Sequence, residues 1–156
     1  MRTFVLVLHI LGAIVALGFS LTYGLWTARG ELSGPTERSF ALRTISWVDR
    51  RFTTPAYIAQ VVTGLLLVAL IDWSLLSESW LAISIGIYLA VTVLAITMFA
   101  PAHRRQSLLA DRIAAGEAVD DAEYRAAAGT AQRWGVVVTI LTALIVILMI
   151  TKPTWW

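Results

Sequence analysis

The chain has 156 residues, of which 58% are hydrophobic and only 14% are charged. Soluble domains carry about 25% charged residues, so this chain has too few charges to cover a water-facing surface. The composition therefore argues against a soluble enzyme, a disordered regulator and a nucleic-acid-binding protein. The chain has no cysteine, which excludes disulfides, thiolate zinc sites and covalently attached haem.

Uncharged apolar segments of about 18 to 24 residues occur four times, at 3–26, 52–71, 80–100 and 134–151. A helix rises about 1.5 Å per residue and a bilayer core is about 30 Å thick, so each segment can cross a membrane, the last one only just. Backbone amides find no water in lipid, so segments this long and apolar must be helical. The sequence predicts one all-α membrane domain over 1–156, a polytopic four-helix bundle.

The loops at 27–51 and 101–133 together carry ten of the twelve basic residues. The positive-inside rule therefore predicts both loops in the cytoplasm and both termini outside, in a multi-pass protein of the bacterial inner membrane. The tryptophans agree with this map, because all of them lie at or beyond the end of a span, as interfacial aromatic residues do. The inner interface is expected to hold Trp26, Trp47 and Trp134, and the outer one Trp73, Trp80, Trp155 and Trp156.

Both basic loops are expected to contain helices. In loop 27–51, Pro35 suits the first turn of a short helix that would lie on the membrane surface. Its apolar side would carry Phe40, Ala41, Ile45, Trp47 and Val48.

In loop 101–133, the third span is expected to continue past a kink at Pro101 and to end at Gly116. A helix capped by Asp120 or Asp121 would then run into the fourth span. The order of span, basic loop and span occurs twice, which suggests a weak two-fold internal repeat.

His9 is an ionisable residue inside the first span, and such residues usually face the bundle interior and often mark function. Nearly the same helix face carries a stripe of small residues that allows close helix packing, at Gly12, Ala16, Ser20 and Gly24. Three roles for His9 remain open: a neutral packing histidine, a haem or metal ligand, and a proton relay.

A haem held at His9 would be of the b type, since the chain has no cysteine. Met149 in the fourth span lies near the same depth and is a weak candidate for the second axial ligand, although methionine is also a common gap-filler in packed interiors. A five-coordinate haem, or a pair of His9 residues across a dimer, would also work.

The second span places Gln60, Thr63 and Gly64 on one stripe, from which the two polar side chains can bond across helices toward the first span. At the other side of the membrane, His103 precedes Arg104 and Arg105. The two histidines are roughly 20 Å or more apart on the helix rise, so they cannot share one metal ion. The three basic residues are expected to form an inner rim that can bind anionic lipid headgroups.

Motifs for chemistry are scarce. No span contains an acidic residue, which counts against a proton-coupled transporter. The sequence shows no nucleophile–base pair, phosphate loop or metal-ligand cluster, so a non-catalytic role is favoured.

Several short motifs, in this order, resemble the bacterial integral membrane proteins grouped as domain of unknown function 2269. They are LHILGA at 8–13, FTTP at 52–55, TG at 63–64, PAHRR at 101–105 and LMITKP at 148–153. The first span is also similar to that of HemJ-type protoporphyrinogen oxidases and, more loosely, of CopD-type membrane domains. The HemJ resemblance implies that His9 binds haem.

The leading expectation is a small non-catalytic membrane protein that holds b-type haem at His9 or serves as an accessory subunit of a larger membrane complex. A HemJ-like porphyrin oxidoreductase and a small transporter are the alternatives. The expected partners are the lipid bilayer and a membrane protein or second copy of the chain, with no nucleic acid.

Overall fold

The computed structural model describes residues 1–71 and 78–153. Within these ranges the chain forms helices and no strand. The helices are α1 (Arg2–Ser33), α2 (Pro35–Val48), α3 (Thr54–Ile71), α4 (Ser79–Leu94), α5 (Ala100–Ala114) and α6 (Asp121–Thr151). Two π-helical segments, Asp49–Thr53 and Ala95–Phe99, join α2 to α3 and α4 to α5.

Four continuous helical stretches are long and apolar enough to cross a membrane, which confirms the predicted all-α polytopic fold. They are Arg2–Ser33, Pro35–Ile71, Ser79–Ala114 and Asp121–Thr151. Many large apolar side chains point outward, and Phe4, Leu65 and Ile140 are each more than 60% exposed. Lipid tails are as apolar as leucine, so these exposed faces suit a bilayer.

The first basic loop differs from the expected surface helix. The chain turns sharply at Gly34, where φ is 131°, a conformation that a side chain would strain. Pro35 then opens α2, which continues through the first π segment into α3 and packs against α1 and α5. Ala41 and Ile45 of the expected apolar side are buried together with Leu42, whereas Phe40 and Trp47 are 66% and 53% exposed, so the expected side is divided between two environments.

Each π segment ends two residues before a proline, at Pro55 and at Pro101. Proline has no N–H to donate, and its ring clashes with the carbonyl four residues earlier. A wider π turn relieves this clash without breaking the helix. The kink expected at Pro101 therefore takes the form of a π segment.

The second basic loop forms a helical hairpin. The chain leaves α5 through Gly116, where φ is 80°, and Asp120 caps α6 by accepting a hydrogen bond from the Ala122 amide at 2.8 Å. The α6 helix then runs unbroken to Thr151. A small hydrophobic core joins this hairpin to α2, formed by Leu42, Leu109, Ala110, Tyr124 and Ala127.

The spans form two pairs, α1 with α3 and α4 with α6, which meet through α1 and α6. Within the described residues the backbones of α3 and α4 make no contact. One hydrogen bond links these two helices, from the Tyr88 hydroxyl to the Tyr57 carbonyl at 2.9 Å. Among the described residues, the two helix pairs are therefore joined mainly through α1 and α6.

The tryptophans predicted at the membrane interfaces differ in their exposure. Trp26 and Trp47 are exposed, at 49% and 53%. Trp80 is only 2% exposed, and its Nε1 donates to the Glu78 carboxylate at 2.8 Å, so it is buried rather than placed in lipid. The expected outer-interface residues Trp73, Trp155 and Trp156 lie outside the described residues.

Candidate functional site

His9 lies at the interface between α1 and α3. Its Nδ1 is 2.8 Å from the Thr63 hydroxyl, and Gln60 donates to the His9 backbone carbonyl at 2.6 Å. Gly64 leaves room for the ring, because a Cβ at that position would lie 3.4 Å from His9 Cε1. The three polar or small residues of the second-span stripe thus converge on His9.

The Thr63 hydroxyl donates to the Ala59 carbonyl at 2.6 Å, so it can accept from His9 in the tautomer that carries the proton on Nδ1. In that tautomer the other ring nitrogen, Nε2, keeps a lone pair, as a metal-ligating histidine needs.

The small-residue stripe of α1 is divided between two environments. Gly12 allows Gln60 to approach, since a Cβ on Gly12 would lie 2.5 Å from Gln60 Nε2. Ala16 is 2% exposed, and Ser20 lies 3.4 Å from the Tyr57 hydroxyl on α3. Gly24 has nothing within 4 Å of its Cβ direction and lines a cavity instead.

Met149, the candidate second ligand, is half-buried near the end of α6. Among the described residues, no hydrogen bond or ring contact connects it to His9. No group of three or more histidine and acidic residues within those ranges could hold a metal ion.

A cavity of about 1550 Å³ opens at the arginine-rich end of the bundle, between the two helix pairs. It extends from Ser20, Tyr57 and Thr139 toward a mouth that carries Arg43, Arg50, Arg104 and Arg125. We call this the loop-side cavity. Both π segments contribute to its wall, in keeping with the frequent occurrence of π turns at functional sites.

Two titratable groups that lie outside the uncharged apolar segments 52–71 and 80–100 line the loop-side cavity. Asp49 accepts a hydrogen bond from Thr54 at 3.2 Å, and burial raises the pKa of its carboxyl above the ordinary value. His103 lies 3.1 Å from the Ser46 hydroxyl and stacks on Phe99 at 5.6 Å. Burial lowers the pKa of His103, so its neutral form is favoured.

The three residues expected to form a lipid-binding rim are consecutive on α5 and face different surroundings. His103 lines the loop-side cavity and is half-buried, and Arg104 is exposed beside it. Arg105 pairs with Glu123 at 3.0 Å on the outside of the hairpin. The sequence did not single out Tyr23, Asp49 or Tyr57, since residues of separate helices meet here and no sequence spacing connects them.

A half-buried cluster connects the helical hairpin to the end of α1. The Tyr124 hydroxyl donates to the Glu31 carboxylate, which also pairs with Arg38 at 2.9 Å. The Arg38 guanidinium lies over the Tyr124 ring, 4.7 Å from its centroid. Burial and the bond to Glu31 raise the pKa of Tyr124 to about 12.

These features define a polytopic helical membrane protein with an ordered intramembrane histidine and a cavity at one end. More particularly, the chain belongs to the family of predicted integral membrane proteins DUF2269, whose family model matches residues 3–153. No curated protein and no solved structure matches the chain. The comparisons do not show the similarity of the first span to HemJ-type and CopD-type proteins, which stays a prediction from the sequence.

Proposed function

We propose that this protein is a non-catalytic inner-membrane protein that binds b-type haem, with His9 as an axial ligand. The observation that carries the proposal is the 2.8 Å contact between His9 Nδ1 and the Thr63 hydroxyl. In the tautomer in which Thr63 accepts from Nδ1, Nε2 is the basic nitrogen that can bind iron.

The residues around His9 fit the role of a ligand support. The hydrogen bond to Thr63 would fix the ring orientation and make Nε2 more basic, as outer-shell partners of metal-bound histidines do. The bond from Gln60 to the His9 carbonyl holds the backbone of this turn. A bound haem would supply reversible one-electron chemistry.

The proposal places both termini outside the cytoplasm and includes a membrane partner. Four spans in the lipid bilayer leave His9 in the half of α1 nearer the N-terminus. A second copy of the chain would bring a second His9, while Met149 is the candidate ligand within the same chain. An accessory role in a larger membrane complex is compatible with either ligand set.

The test is an absorption spectrum of detergent-purified protein from haem-replete cells, oxidised and dithionite-reduced, for wild type and His9→Ala. We expect a Soret band in the wild type and its loss in His9→Ala. His103→Ala is the matched control, because it removes the other histidine, far from His9, and should retain the band. Thr63→Val should keep haem but weaken its binding about 10-fold or more.

A colourless wild type would contradict the proposal, and His9 would then be a packing residue. A Soret band that persists in His9→Ala would place the haem elsewhere. A haem spectrum combined with porphyrinogen oxidation by the purified protein would favour the HemJ-like enzyme instead of a non-catalytic role.

A further inference from the structure

The loop-side cavity is separate from the His9 site. Its lining begins at Ser20, which lies roughly 16 Å along α1 from His9 on the helix rise. Its volume of about 1550 Å³ exceeds the roughly 300–1,000 Å³ of ordinary small-molecule pockets. An occupant that filled it would be of lipid size.

The inner part of the cavity is suited to hydrocarbon. Several of its hydroxyls are engaged with the protein, since Ser20 donates to the Ala16 carbonyl at 2.8 Å and the Tyr23 and Thr53 hydroxyls bond each other at 2.6 Å. Apolar side chains also line the cavity, namely Leu21, Ile96, Phe99, Val136 and Ile140, and all of them except Phe99 are more than half exposed. An occupant here gains contact with apolar side chains and needs no polar groups of its own.

The mouth of the cavity has the opposite character. Arg50, Arg104 and Arg125 line it and are exposed, and none of the three is in an ion pair among the described residues. By contrast, Arg43 at the same mouth is paired with Asp111 at 2.9 Å.

The lining carboxyls do not balance these arginines. Glu31 already pairs with Arg38, which leaves Asp49 as the one unpaired carboxyl in the described lining. The mouth thus presents a surplus of guanidinium groups, which bind phosphate oxygens in bidentate geometry.

We propose that the loop-side cavity binds an anionic phospholipid, with an acyl chain in the inner part and the phosphate on Arg50, Arg104 and Arg125. A free phosphate would satisfy the arginines but leave the apolar interior without a partner, so the lipid is the better match. The site does not depend on haem at His9.

The experiment is native mass spectrometry of detergent-purified protein titrated with phosphatidylglycerol. Phosphatidylcholine, diacylglycerol and inorganic phosphate are the comparison probes. We expect phosphatidylglycerol to bind tightest and diacylglycerol, which has no phosphate, to bind at least tenfold more weakly. Replacing three charge-assisted contacts in R50Q/R104Q/R125Q should weaken phosphatidylglycerol at least tenfold.

The matched control is R29Q/R51Q/R133Q, which removes three arginines from the same end of the bundle that do not line the cavity. It should change binding less than threefold. Thr139→Trp keeps every arginine but fills the inner part of the cavity, and it should also reduce phosphatidylglycerol binding about tenfold by excluding the chain. Size-exclusion profiles and helical circular dichroism check that each variant is folded. If R50Q/R104Q/R125Q is not folded, the binding result for Thr139→Trp tests the proposal.

Equal losses in the two triple variants would overturn the proposal, because the attraction would then be a diffuse surface effect. Binding that survives both R50Q/R104Q/R125Q and Thr139→Trp would also overturn it. Displacement of phosphatidylglycerol by inorganic phosphate, with no effect of Thr139→Trp, would assign the arginines to free phosphate instead.

Discussion

Removing the Tyr124 hydroxyl should destabilise the protein in a way that depends on pH. Tyr124→Phe keeps the ring in the core but deletes the hydrogen bond to the Glu31 carboxylate. Hydrogen bonds to charged groups contribute roughly 1.5–3 kcal/mol, so we expect a loss of about 2 kcal/mol at pH 8. Detergent-solubilised wild type and variant can be compared by unfolding titration with sodium dodecyl sulfate.

The pH dependence follows from the pKa of Tyr124, raised to about 12 in the folded protein from about 10 in an unfolded chain. Below pH 10 the Tyr124 hydroxyl is protonated in both the folded and the unfolded protein, so its contribution to stability is fully present. As the pH rises from 10 toward 12, the unfolded state ionises first and the wild type loses stability, by about 1.4 kcal/mol at pH 11. Phenylalanine does not titrate, so the difference between the two proteins should shrink to about 0.6 kcal/mol at pH 11.

A double-mutant cycle with Glu31→Gln provides the control. In that background the Tyr124→Phe loss should fall to about 1 kcal/mol, because the acceptor is no longer charged. A difference between wild type and Tyr124→Phe that is below about 0.5 kcal/mol at pH 8, or that is the same at pH 8 and pH 11, would refute the assignment of this cluster as a clamp.

Three further predictions concern helix packing and topology. Gly30→Ala should lower the free energy of unfolding by about 1–3 kcal/mol, because a Cβ there would lie 3.0 Å from Ala41 Cβ. Gly129→Ala is the control, with nothing within 4 Å of its Cβ position, and it should be neutral or stabilising by up to about 1 kcal/mol. Equal effects of the two variants in thermal unfolding would contradict this prediction. Gly12→Ala should displace Gln60 from the His9 carbonyl and destabilise the protein by about 1 kcal/mol. Gly18→Ala, which has open space at its Cβ position, should not destabilise it. The prediction is wrong if the two variants unfold at the same temperature. The chain has no cysteine, so single introduced cysteines can report the topology. In spheroplasts, Lys152→Cys should react with a membrane-impermeant maleimide directly, whereas Glu117→Cys should react only after permeabilisation. The reverse pattern would show that the predicted topology is the wrong way round.

The membrane fold could be predicted from the sequence because the bilayer imposes it. A membrane span must form all its backbone hydrogen bonds within itself and expose apolar side chains to lipid. Long uncharged apolar segments such as 52–71 meet both requirements and can be recognised in the sequence. The helix stop at Gly116 and the start at Asp120 were also predictable, because left-handed glycine and an aspartate cap act within a few residues of chain.

The loop-side cavity could not be predicted, because it depends on how separate helices pack. His103 and Arg105 face different surroundings because residues two positions apart on a helix point about 200° apart. His103 lines the cavity, and Arg105 pairs with Glu123. The continuation of α2 through a π segment into α3 was not predicted, because it depends on the contacts that α2 makes with α1 and α5.

The haem content per chain tests the central claim most directly. It is measured as pyridine haemochromogen against protein concentration, on protein purified in mild detergent from haem-replete cells. The proposal predicts one b-type haem per chain, or one per two chains if a pair of His9 residues binds it, and a loss of that haem in His9→Ala. A content far below one haem per two chains in the wild type, or an equal content in His9→Ala, would contradict it.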